Sequence, residues 1–198
     1  MLLYLIRHGQ TDYNATGRIQ GWLDVPLNEA GHEQARRVAR RFVGKPIHTV
    51  YASPLQRAAD TARAICAASA LPLTLDERLR EYNMGDWEGL TGDEITAISP
   101  AAHHADPEIV AHGGESAAQM RDRVQPFIND LLALHGAAET RVAVVSHGGT
   151  LGALIMAMLN MPPMRRAPFV FGNTAVSEMH WQRGHWRVRA LNDRHHLV

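Results

Sequence analysis

The chain has 198 residues, enough for one domain with a full hydrophobic core, and its composition is 45% apolar and 20% charged. Lys+Arg and Asp+Glu balance at 20 each, with a pI of about 7.2, which leaves no electrostatic footprint for nucleic acid or an anionic membrane. The single cysteine, Cys66, excludes an internal disulfide and fits a reducing, cytoplasmic setting, and the apolar run Met1 to Ile6 is too short for an export signal or a membrane span before Arg7 and His8 interrupt it.

The N-terminal run Leu2 to Ile6 reads as a strand buried on both faces. Asn28 is an N-cap for a helix reaching about Val43, because Ala35, Val38, Ala39, Phe42 and Val43 make one apolar face. Ile47 to Ala52 is a second strand. Ser53-Pro54 then opens a helix with Ser as N-cap and Pro in first position, and Leu55, Ala58, Ala59, Ala62, Ile65 and Cys66 supply its buried stripe. Leu73 to Leu75 is a weaker strand. Ser116 and Gln119 fit a capping box for a long helix whose apolar face holds Met120, Val124, Phe127, Ile128 and Leu131. Val142 to Val145 is a fourth strand, followed by a helix marked by Leu151, Leu154, Ile155 and Met158. Val176 to Gln182 and Trp186 to Leu191 form a hairpin across Arg183-Gly184, and that hairpin is also a candidate contact for a homodimer.

This alternation predicts a three-layer α/β/α domain over residues 1–198 with a mostly parallel central sheet. Residues 81–115 break the rhythm with Gly, Pro, Asp and His, and read as a small cap insertion over the sheet.

Three polar clusters each follow a predicted strand: Arg7-His8-Gly9-Gln10-Thr11, Ser53-Pro54-Leu55-Gln56-Arg57 and Ser146-His147-Gly148-Gly149. In parallel sheets ligands bind at the carboxyl edge, so clusters far apart in sequence converge in space. Arg7 and Arg57 offer forked donors to phosphate oxygens, and glycines 9, 148 and 149 let the backbone approach an anion. A neutral imidazole from His8 or His147 is a competent nucleophile, and adjacent arginine charge favours the neutral form. Phosphoryl transfer needs mainly positioning and charge stabilisation, which these groups supply.

Arg7-His8-Gly9 after an apolar strand resembles the signature of the histidine phosphatases, the superfamily that includes phosphoglycerate mutases. The match extends through Asn14, Gln20-Gly21, Ser53 to Ala58, Leu79-Arg80-Glu81, Gly85 to Gly89, Gly114 to Ser116, Ser146 to Gly149 and Leu191 to Asp193. The resemblance implies a phosphoglycerate mutase-like fold and transient phosphorylation of His8. It implies a phosphate pocket completed by Arg7, Arg57 and His147 and assisted by Asn14, Gln20, Gly21 and Gly148. It further makes Glu81 the proton donor to the leaving oxygen and the base that activates water. By chemistry alone, Asp86 and Glu88 in the same loop compete with Glu81 for that role.

The competing readings are weaker. Val144-Val145-Ser146-His147-Gly148 lacks the first glycine of a nucleophile elbow. His103, His104, Asp106 and His112 match no common zinc spacing, so no metal and no cofactor are expected. A non-catalytic phosphate-binding module remains the alternative from another class, and the intact set of Arg7, His8, Arg57, Glu81 and His147 argues against it. Within the superfamily, the run Arg80 to Gly89 resembles the phosphatase branch and not the mutases. Residues 81 to 120 also carry no Lys or Arg but eight acids: Glu81, Asp86, Glu88, Asp93, Glu94, Asp106, Glu108 and Glu115. If they face the pocket, a second anionic group is disfavoured despite Arg18, His103 and His104, and the expected substrate is a small monophosphorylated metabolite whose remainder is neutral, apolar or cationic.

Overall fold

The computed structural model describes residues 1–99, 110–137, 139–164 and 166–198. Among them the strands are β1 (Leu2–Arg7), β2 (Thr49–Ala52), β3 (Leu73–Leu75), β4 (Arg141–Ser146), β5 (Val176–Gln182) and β6 (His185–Asp193). They form one sheet in the order β3-β2-β4-β1-β5-β6. The first four are mutually parallel, whereas β5 and β6 run antiparallel as the hairpin expected from the sequence. Arg183 and Gly184 both take positive φ in that turn, 53° and 81°, as a two-residue hairpin connection requires.

The strand side chains divide the core in two. Leu3, Leu5, Val142 and Val144 face one layer, built from α5 (Ala117–His135) and α6 (Gly148–Met158). Their sequence neighbours Tyr4, Ile6, Ala143 and Val145 face the other, built from α2 (Glu29–Phe42) and α3 (Gln56–Ser69). This period-two alternation of apolar residues on both faces explains the unbroken hydrophobic runs of β1 and β4. α6 is buried on every side from Thr150 to Met158, which accounts for its all-apolar composition.

Local signals set most helix ends. Asn28 accepts from Gly31 N at 2.8 Å, and Ser116 and Gln119 form the reciprocal capping box. α3 departs from expectation. It starts at Gln56, its N-cap Leu55 gives no side-chain bond, and Asp24 Oδ1 accepts from Gln56 N at 2.6 Å instead. Ser53 is not the N-cap: its hydroxyl accepts from Leu55 N at 3.3 Å, ahead of the helix, and lies 2.8 Å from His147 Nε2.

A four-residue helix α1 (Asp12–Ala15) follows β1, and α4 (Gly92–Ile98) lies in the segment read as an insertion. Trp87, Ile95 and Ala111 make a small cluster there, packed against Ile19, Met84 and Leu90. Backbone bonds from Ile19 N to Leu90 O and from Gly89 N to Ile19 O, both 2.8 Å, tie it to the loop after α1. His103, His104, Asp106 and Glu108 lie outside the described residues. Among the described residues, no helix is long and apolar enough to cross a membrane.

Candidate active site

Parallel pairing brings the three clusters side by side. Arg7 is in register with Ser146, and Ala52 with Val145, so the residues following β1, β2 and β4 emerge at one sheet edge. Extra backbone bonds continue the ladder past the strands, from His8 N to Ser146 O at 2.9 Å and from Ser53 N to Val145 O at 3.0 Å. The His8 and His147 rings sit 5.1 Å apart between centroids, and both residues are buried.

The tautomer of His8 follows from its partner. Nδ1 lies 2.7 Å from the carbonyl oxygen of Gly9, which can only accept, so Nδ1 carries the proton and Nε2 keeps its lone pair. Burial, and then the charges of Arg7 and Arg57, hold the His8 imidazole well below its ordinary value of 6.5. Burial pushes His147 the same way, helped by Arg57, His8 and Arg7. Both rings are therefore neutral at neutral pH.

Among the described residues neither guanidinium has a carboxylate partner; Arg57 is buried and Arg7 half-buried. Arg57 donates to the carbonyls of Leu23 and Gly21, each at 2.8 Å, and Arg7 to Phe171 O at 2.6 Å. Burial pulls Arg57 down to about 10 and lowers Arg7 as well, yet both stay cationic at neutral pH. Arg7 Nε, Arg57 Nε and His147 Nδ1 are buried with no hydrogen-bond partner among the described residues. Such groups are rare in folded proteins, and here they accompany two positive charges without an ion-pair partner among the described residues, an arrangement suited to an anion.

A cavity of about 370 Å³ opens from His8 and is lined by Arg7, Asn14, Gln20, Gly21, Arg57, Glu81 and Gly149, among others. His147 and Gly148 are not part of its lining. His147 stands behind it, fully buried. Asn14 Oδ1 already accepts from Thr11 N and Asn173 Nδ2, and Gln20 Oε1 accepts from the Thr11 hydroxyl, so each has its amide NH₂ to offer a ligand. Gly21 spends its carbonyl on Arg57 and takes φ +50°, with no room for a Cβ beside Glu88, so it positions the guanidinium.

Glu81 is held against the first turn of α6. Its carboxylate accepts from Gly149 N and Thr150 N, each at 3.1 Å, and from its neighbour Tyr82 N at 3.0 Å. A Cβ on Gly149 would lie 2.5 Å from Glu81 Oε1 and 2.6 Å from the Tyr82 ring. This glycine therefore makes room for Glu81 and Tyr82, and Gly9 makes room for the backbone of Gly31, whereas the sequence alone points to a bound anion at these glycines. Of the eight acids in residues 81–120, Glu81 alone among the described residues lines the cavity. Glu88 Oε1 accepts from Trp22 N and Met84 N, and Asp86 is exposed beside His112. The expected acidic wall is therefore absent from the described lining. Arg18 and Arg166, from outside that segment, line the cavity instead.

Several residues support the site through contacts remote in sequence. Ser146 Oγ donates to Leu79 O and Thr150 Oγ1 to Arg80 O, each at 2.7 Å. Arg123 donates to the carbonyls of Arg78, Arg80 and Glu81 and pairs with Glu115 at 2.7 Å, so the loop carrying Glu81 is fixed from α5 and α6. Asn173 Nδ2 bridges His8 O and Asn14 Oδ1, both at 3.1 Å. Arg123 looks like an ordinary polar position of an amphipathic helix, and Asn173 like part of a loop. Their value arises from contacts remote in sequence.

Residues 3–194 match the histidine phosphatase superfamily, branch 1. The chain belongs to this superfamily. The Mycolicibacterium vanbaalenii protein called glucosyl-3-phosphoglycerate phosphatase is 40% identical over 168 residues, covering 81% of this chain and 75% of the relative. The Arabidopsis thaliana phosphoglycerate mutase-like protein 4 is 36% identical, over 98% of this chain and 86% of that one. The solved structure of a mycobacterial glucosyl-3-phosphoglycerate phosphatase with VO3 superimposes with a TM-score of 0.88 at 35% identity, covering 98% and 99% of the two chains. The α/β fold with its six-stranded mixed sheet is thus that of the phosphoglycerate mutase-like proteins.

The buried histidines make stability depend on pH. Unfolded, they titrate near 6.5, whereas His8 and His147 are held well below that and His196 at about 4 by burial. Their contribution is complete above pH 6.5 and is lost as pH falls toward the folded values, because the unfolded chain then binds more protons. The melting temperature is expected to fall from pH 7.5 to pH 5, and to fall less steeply in His8→Asn. Equal slopes in the two proteins would contradict this assignment.

Proposed function

We propose that this histidine phosphatase hydrolyses phosphomonoesters of small metabolites through a phosphohistidine on His8. The observation that carries this reading is the buried His8, its Nδ1 committed to Gly9 O, between two guanidiniums without carboxylate partners. Nε2 attacks phosphorus in line with the ester oxygen, the N–P bond forms and the P–O bond breaks. Arg7 and Arg57 hold the non-bridging oxygens and balance the charge that develops on them, and the buried His147 packs beside His8. A protonated Glu81 carboxyl gives its proton to the leaving alkoxide. The resulting carboxylate then takes a proton from water, whose oxygen attacks phosphorus, and cleavage of the N–P bond returns neutral His8 and inorganic phosphate. The described part of residues 81–115 acts as a cap, with Met84, Trp87, Gly92, Ile95 and Thr96 forming the cavity wall.

Fixed arginine charge does in this pocket what a divalent ion does in other phosphoryl-transfer sites, so activity is expected to survive exhaustive EDTA treatment. The test supplies 3-phosphoglycerate with catalytic 2,3-bisphosphoglycerate and follows free phosphate and 2-phosphoglycerate together. Phosphate is expected to accumulate, with and without chelator. Efficient isomerisation with little phosphate would make the chain a mutase, and activity lost to EDTA but restored by a divalent ion would contradict the arginine pocket.

A further inference from the structure

The loop of residues 20–24 joins two parts of the chemistry that are far apart in sequence. The carbonyls of Gly21 and Leu23 each accept from Arg57 at 2.8 Å. Between them, Trp22 Nε1 donates to the carbonyl oxygen of Glu81 at 2.7 Å. Three consecutive residues therefore hold a phosphate-binding guanidinium on one side and the backbone of the acid on the other. The loop is fixed at both ends, since Gln20 Oε1 accepts from the Thr11 hydroxyl at 2.9 Å and Asp24 Oδ1 from Gln56 N at 2.6 Å. Trp22 N donates to Glu88 Oε1 at 2.7 Å, and the Arg80 guanidinium lies 5.0 Å from the centre of a Trp22 ring.

Core packing does not account for this tryptophan. It is 38% exposed, although tryptophan is highly buried on average, and it belongs to none of the apolar clusters of the core. Nor is it part of the described cavity lining. What it supplies is the indole N–H. The carboxylate of Glu81 rests on Gly149 N and Thr150 N, but those donors hold it only as an acceptor. Once an oxygen carries a proton and turns to the leaving group, the side chain swings from its backbone, and the backbone anchors decide where the proton arrives. Those anchors are Trp22 and, from α5, Arg123, which donates to the same carbonyl at 3.1 Å. A reacting group displaced by about an ångström loses much of its effect. Resting on the reading of Glu81 as the acid, we infer that Trp22 is a positioning residue that sets the proton of Glu81 relative to the phosphate held by Arg57.

Trp22→Phe removes the indole N–H and keeps an aromatic face for Arg80. With glycerol 3-phosphate its kcat/KM is expected to fall about three- to tenfold, the range of one neutral hydrogen bond, through kcat and not KM. With nitrophenyl phosphate, whose leaving group needs little protonation, the fall is expected to stay within about twofold. Trp22→Leu, without ring or N–H, is expected to show the same dependence on the leaving group. In a Glu81→Gln background Trp22→Phe is expected to add little on glycerol 3-phosphate, because no proton is left to place. Equal losses on the two esters, no loss on either, or a full further loss in the double variant would overturn the inference. Glu81→Gln alone separates the two levels. If it is sensitive to the leaving group while the Trp22 variants are not, this inference alone fails. If it is itself indifferent to the leaving group, the assignment of the acid fails and the role of Trp22 with it.

Discussion

Glu81→Gln is expected to lower turnover of an alkyl phosphate by roughly two to four orders of magnitude, the usual worth of a positioned general acid and base. The amide matches the carboxyl in shape, and its oxygen can still accept from Gly149 N or Thr150 N, the donors 3.1 Å from the native carboxylate. What it cannot do is give a proton to an alkoxide or take one from water. The loss should shrink for nitrophenyl phosphate, whose leaving group departs as a stable anion. Glu88→Gln serves as the comparison, because Glu88 lies in the same loop but spends Oε1 on the backbone of Trp22 and Met84. A greater loss in Glu88→Gln, or an equal loss of Glu81→Gln activity on both ester types, would move the acid role elsewhere.

The second large effect concerns Arg57. Arg57→Ala should reduce kcat by about two to three orders of magnitude, as does removal of a donor aimed at developing charge. Its guanidinium is anchored by two carbonyls, Leu23 and Gly21, while Nε has no protein partner. Lysine carries the same charge but has no fork to span both carbonyls, so Arg57→Lys should recover little of the loss. Far-UV circular dichroism and the melting temperature show whether each variant is folded. A folded Arg57→Ala enzyme within tenfold of wild type would remove Arg57 from the phosphate pocket.

Much of this arrangement is legible in the sequence because its determinants are local. The β1 and β4 runs, the stripe of α2 and the capping box of α5 each occupy a short window, and each appears where it was expected. The convergence of His8, Arg57 and His147 was legible for a related reason, since parallel strands place their following loops on one edge. Ser53 shows where this kind of reading stops. Ser-Pro is the same capping signal wherever it occurs, but here the helix begins at Gln56, and the hydroxyl bonds Leu55 N and meets a partner 94 positions away. The glycine at 149 signals a close approach without saying of what, and the groups beside it are Glu81 and Tyr82. The acid count over residues 81–120 misled for want of direction: Glu88 faces Trp22 and Met84, Glu115 faces Arg123, and the cations of the outer cavity come from positions 18 and 166.

The most direct test of the mechanism is to trap the covalent enzyme. Rapid quenching with a ³²P-labelled phosphomonoester is expected to leave acid-labile, alkali-stable phosphate on the wild-type protein, in a peptide containing His8, and none on His8→Ala. Phosphate that survives prolonged acid, or label that persists in His8→Ala, would contradict His8 as the nucleophile.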